Sequence, residues 1–205
     1  MTVSQAPDKE AQRLPTLTWT RIVTNLMSPP VVLLLTAVYV LNYAAVASAS
    51  FVIYFGIYAL FSVAPPSLYI GWAVYRGIIT DIHMPKRSER FRPFILGVAG
   101  TIVTWVMLLV LRAPWSMMAY ASFTVVDTLV ITGITFFWQI SIHAAAIGGA
   151  TVIVGILSGP LTAAVVLPCA ILVGIARIKL KRHTVGQVLA GATIGIATAI
   201  VFFYR

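Results

Sequence analysis

The stretch "RIKLKRHTVGQVLAGATIG", Arg177 to Gly195, places Arg177, Lys179, Lys181, Arg182 and His183 directly ahead of a glycine-dotted apolar segment. Guanidinium groups grip phosphate oxygens two at a time, and a neutral imidazole can attack phosphorus. Two other clusters carry the same residue types. "KRSERFRP" holds Lys86, Arg87, Arg90 and Arg92, and "SIH" puts Ser141 and His143 at the head of an apolar run. A second imidazole, protonated, can supply the proton that a leaving oxygen needs. The three clusters therefore hold the parts for phosphoryl transfer without a metal. The five acids, Asp8, Glu10, Asp81, Glu89 and Asp127, are scattered rather than grouped as ligands.

Something must bring the clusters together, and composition says what. The chain is 60% hydrophobic and 9% charged, with a mean hydropathy of +0.98. Soluble domains carry about 25% charged residues, so the fold class is an all-α integral membrane bundle. Runs long enough to cross the hydrocarbon core, about 20 residues each, fall near 30–48, 51–76, 93–111, 115–138, 142–158, 160–176 and 184–204. A bundle of six to seven transmembrane helices is predicted, with "APP" at Ala64–Pro66 read as a kink in the second. Residues 1–20 lack the apolar core of a signal peptide. They read as a polar tail before a single transmembrane domain over 21–205. The lone Cys169 forms no internal disulfide and is expected simply to pack.

Seven spans put the N-terminal tail, the 77–92 loop, the 139–141 junction and the 177–183 loop on one side. Of the 14 Lys and Arg residues, only Arg112 and Arg205 then lie opposite. The positive-inside rule makes that side cytoplasmic. The +9 formal charge thus reads as a membrane-face feature that can meet anionic lipid, not as a nucleic-acid surface.

The pattern resembles the type 2 phosphatidic acid phosphatase superfamily, which includes lipid phosphatases, undecaprenyl-diphosphate phosphatases and vanadium haloperoxidases. The family motifs run K-x6-RP, PSGH and SR-x5-H-x3-D. Arg177, five residues, then His183 keeps the third spacing, and "HTVGQVLAG" is similar to the family's HxxxDVxAG, with Gln187 at the aspartate position. Ser141–His143 stands where SGH is expected, and Arg92–Pro93 can close the first motif, whose lysine position is occupied by Pro85. The resemblance spans roughly residues 76–204. It implies His183 as the nucleophile, His143 as the acid, and Arg177, Arg92, Arg90, Arg87, Lys86 and Ser141 as phosphate-binding residues. Gln187 would orient His183. It implies no cofactor and no metal, and partners that are lipids: a prenyl (di)phosphate or phosphatidate substrate. A prenyl-diphosphate enzyme of altered chemistry, or a lipid-phosphate-binding protein of weak activity, stays open beside hydrolysis.

Other residues have plainer readings. Thr184 and Gln187 fit a capping box. His83 is expected to be a bystander, and Asp81 and Glu89 to pair with neighbouring cations. Asp127, in mid-span, should face the bundle interior. Gly191 and Gly195 form a GxxxG that suits close helix packing.

Overall fold

The computed structural model describes residues 18–84 and 86–204, and among these there is no strand. The protein is an all-α multi-pass membrane bundle. Among the described residues, five continuous helical segments are long and apolar enough to span a bilayer. They are Ser48–Tyr75, the segment entering α5 (Phe91–Val110), α6 (Trp115–Thr135), α8 (Pro160–Lys179) and α9 (Val185–Phe203). A sixth forms if α1 (Trp19–Leu26) and α2 (Pro29–Tyr43), bent by 47° at their junction, count as one. The remaining helix, α7 (Ile142–Ser158), has 17 residues and is enclosed by the others. The predicted tail lies outside the described residues up to 17, and Thr18 already caps α1. Several boundaries move: the first span ends at Tyr43, the second begins at Ser48, α6 ends at Thr135, and α8 runs to Lys179, taking Arg177 into its last turn.

Local chemistry sets these ends. Pro29 and Pro30 open α2, and Pro160 opens α8 after Gly159 at φ 97°, a conformation that costs glycine little. The "APP" site is a change of winding rather than a kink. Residues Tyr58–Val63 wind as a π-helix between α3 (Ser48–Ile57) and α4 (Ala64–Tyr75). Pro65 has no N–H to offer the Phe61 carbonyl, so the regular ladder is interrupted one turn earlier. The freed Phe61 oxygen lies against Gly100 of α5, where a Cβ would stand only 2.0 Å from it. A neighbouring hydroxyl pair, Ser62 to Thr104 at 2.8 Å, ties the same turn to α5.

The most extensive helix contact is α7 with α9. Gly191 and Gly195 of α9 meet the backbone of Ser141 and Ala145, so the two axes approach without intervening side chains. α2 and α4 both border the principal cavity without packing substantially on each other. A seam therefore runs down this flank of the bundle.

Candidate active site

The site is built at one end of the bundle, where the loops of residues 76–90, 136–141 and 180–184 meet. At the end of α8 the chain turns back through Lys181, at φ 52°, and both Arg182 N–H and His183 N–H donate to the Arg177 carbonyl, at 3.1 and 3.4 Å. That fold-back is what the five-residue spacing achieves: His183 returns over the turn that carries Arg177. Thr184 then caps α9. Its Oγ1 accepts from Gln187 N–H at 3.3 Å, and Gln187 Oε1 accepts from Thr184 N–H at 3.0 Å, completing the capping box. His183 thus precedes the helix rather than sharing a helical face with Gln187.

Ser141 caps α7 in the same way, its Oγ accepting from Ala144 N–H at 3.4 Å. Its own N–H donates to the Gln187 carbonyl at 3.1 Å, which locks the start of α7 to the first turn of α9. His143 lies in that first turn. The third wall is the 76–90 loop. Asp81 Oδ1 accepts from His83 N–H at 2.9 Å, an Asx-type turn, and the Arg182 guanidinium donates to Asp81 Oδ2. Arg90 ends a 3₁₀ turn (Arg87–Arg90), and its Nε donates to the Met84 carbonyl at 3.0 Å.

The result is a concentration of buried cationic chemistry. Arg177 is 1% exposed, Arg90 3%, and His143 and His183 5% each. Neither ring nitrogen of His143 has a hydrogen-bond partner, nor do Nε and NH1 of Arg177. Buried polar atoms are normally paired, so a cluster of unpaired donors marks a place for a ligand rich in acceptors. Beneath it opens a cavity of about 380 Å³, within the range of small-molecule sites. Arg90, Arg177, His143 and His83 border its polar part, and its walls are otherwise mostly apolar, including Leu33, Pro66 and Phe94. His183 is not on the cavity surface. It is coupled electrostatically to Arg177, Arg90 and His143.

The remaining candidates are placed differently. Lys86, Arg87 and Arg92 are exposed and do not border the cavity, and Arg87 donates to the Phe137 carbonyl at 3.1 Å. Ser141 is fully buried and occupied as a cap. Pro85, the register point of the first motif, lies outside the described residues. Among the described residues Glu89 forms no ion pair; it accepts from the Thr80 hydroxyl and N–H. Asp127 is buried beside Thr124, Thr128 and Thr132 around a smaller void. Among the described residues no three His, Cys, Asp or Glu side chains gather closely enough to hold a metal ion.

His83 is the residue that the sequence reading set aside and the structure brings in. It borders the cavity, its ring lies 6.0 Å from that of His143 at 25° between planes, and its Nδ1 is 3.2 Å from Asp81 Oδ1. A usable signal was present in "DIH": an Asp two residues ahead of a His favours the local turn that pairs them.

Burial pushes His183 down to about 3, with Arg177 and then Arg90 adding repulsion. The Gln187 side chain and the Gln139 backbone favour the proton, but too weakly to offset this. Below pH 6.5 the unfolded chain binds a proton at this residue that the folded protein refuses, so acid destabilises the fold. At about 1.4 kcal/mol per pH unit, the loss reaches about 2 kcal/mol by pH 5. Thermal unfolding of purified protein between pH 7 and 5 should show a falling Tm, and His183→Gln should flatten that slope. An unchanged slope in the variant would remove His183 as its source. No protein-family model, curated protein or solved structure matches the chain.

Proposed function

We propose that the protein is a membrane-embedded lipid-phosphate phosphatase of the type 2 phosphatidic acid phosphatase kind, working without a metal through a phosphohistidine. The observation that carries this reading is Arg177, with Nε and NH1 unpaired, buried beside Arg90 and two imidazoles at the edge of an apolar cavity. Two guanidiniums supply the positive charge that developing negative charge on phosphorus requires. The apolar walls suit an acyl or prenyl tail, and a prenyl diphosphate or phosphatidate presents both parts in the right order. His183 attacks phosphorus, and His143 protonates the leaving oxygen. The cation-rich face, with the N-terminus, is cytoplasmic.

The test is phosphate release from farnesyl diphosphate and from phosphatidic acid by purified protein in detergent containing EDTA. Release should persist under EDTA and fall at least about 10³-fold in His183→Ala. Gln187→Asp should accelerate release roughly tenfold. The carboxylate adds imidazolium stabilisation worth about 1.4 kcal/mol, and an acid is tolerated at a helix N-terminus. Because Gln187 Oε1 is engaged by the Thr184 N–H, a second outcome has a specific basis: binding of these lipids without turnover, which would make the protein a lipid-phosphate binder.

A further inference from the structure

We propose that His83, held by Asp81, is the general base that activates water against the phosphohistidine, which adds a third histidine to the site. The inference rests on the phosphatase reading above. It starts from an asymmetry between the two imidazoles that border the cavity: neither ring nitrogen of His143 has a hydrogen-bond partner, whereas His83 Nδ1 faces Asp81 Oδ1 at 3.2 Å. That carboxylate is fixed twice more, by the His83 N–H and by the Arg182 guanidinium. It assigns the proton to Nδ1 and leaves the Nε2 lone pair free. The residue borders the cavity beside His143 and Arg177. A base meant to meet incoming water needs that position, and His183, which carries the phosphoryl group, cannot act as the base for its own hydrolysis.

The chemistry closes without further reagents. Water oxygen bonds to phosphorus while the P–N bond to His183 breaks and its electron pair returns to the ring nitrogen. The water proton passes to His83 Nε2, and Asp81 stabilises the imidazolium that forms. Inorganic phosphate leaves, His83 loses its proton to solvent, and His143 regains from solvent the one it gave to the leaving oxygen. Burial, opposed by the Asp81 hydrogen bond and reinforced by Arg177, holds His83 below the usual histidine value, so the resting ring is uncharged. The Gln187 position, where a carboxylate is lacking in the first turn of the helix that follows the nucleophile, and the Asp81 carboxylate across the site divide the work differently: the negative charge supports the second step.

Rapid-quench kinetics with terminally ³²P-labelled farnesyl diphosphate and ³²P-labelled phosphatidic acid test this. His83→Gln should keep the first-turnover burst within about twofold, lose about 100-fold in steady-state rate, and accumulate base-stable, acid-labile phosphoenzyme. Asp81→Asn should show the same split, more weakly. Hydroxylamine, a stronger nucleophile than water, should restore turnover in His83→Gln and not in His183→Ala. Equal loss of burst and steady state, or a His83→Gln variant as fast as wild type, overturns the assignment and leaves the phosphatase reading standing. Wild-type protein that releases no phosphate from either lipid overturns both. His83→Asn, compared by Tm, serves if His83→Gln folds poorly.

Discussion

Replacing Arg177 with methionine is expected to give a protein that is inactive and harder to unfold. The side chain is 1% exposed, two of its nitrogens bond to nothing, and Arg90 and Arg182 repel it. The carboxylate acting on it among the described residues, Asp81, is already shared with Arg182 and His83. Exchanging a poorly compensated buried charge for a well-packed apolar group stabilises proteins by about 1–4 kcal/mol. For a chain of this size that raises Tm by several degrees, at roughly 2–4 °C per kcal/mol. Turnover should fall by about 10³-fold or more, since such arginines stabilise the transferring phosphoryl group directly. Arg177→Lys should recover little, because an ammonium lacks the planar fork. Tm measured with and without orthovanadate is the check: the anion should stabilise wild type and leave Arg177→Met unmoved. A variant that melts earlier than wild type and still releases phosphate would show that Arg177 braces the fold instead.

The second large effect is expected at glycines far from any reacting atom. A Cβ at Gly195 would lie 2.0 Å from the Ala145 carbonyl oxygen and 2.8 Å from its carbon, and one at Gly191 would lie 2.3 Å from the Ser141 oxygen. These neighbours are backbone, so no rotamer relieves the clash and α7 must move off α9. The Ser141 N–H to Gln187 carbonyl bond, now 3.1 Å, breaks first, and His143 is carried away from His183. Overpacking costs about 1–3 kcal/mol, and a displacement of about 1 Å at a reacting centre costs roughly 10²-fold in rate. Gly195→Ala and Gly191→Ala should therefore lower Tm and phosphate release together. Gly56→Ala, where nothing lies within 4 Å of the added carbon, should change neither. Near-wild-type activity in Gly195→Ala would mean that the α7–α9 seam does not set the site.

The bundle was legible because a bilayer imposes a length and a composition on every helix, and these survive in one dimension. So were the caps: Thr184 with Gln187 is a three-residue pattern whose geometry is local. The fold-back from Arg177 to His183 was legible as spacing, though not as the bifurcated backbone contact that produces it. Among Lys86, Arg87, Arg90 and Arg92 the sequence offered no way to choose. The phase of a single 3₁₀ turn, with the Met84 carbonyl receiving Arg90, turns one guanidinium inward and leaves the others outside. His83 was hidden for a similar reason: its pairing with Asp81 is local, but its place beside His143 depends on how two loops from distant parts of the chain meet. The π-helical turn at 58–63 was visible only as a proline break, since the Gly100 surface that accommodates it lies on another helix.

The seam between α2 and α4 has a consequence for how the reaction must be measured. Both helices border the cavity without closing on each other, so under the proposed function a lipid substrate would reach the guanidiniums by sliding sideways within its own leaflet. Encounter is then a two-dimensional search, and the quantity that governs rate is the mole fraction of substrate in the micelle or bilayer. Adding neutral detergent at constant bulk substrate dilutes that surface, and under the proposed function a Michaelis constant expressed in molar units would lose its meaning.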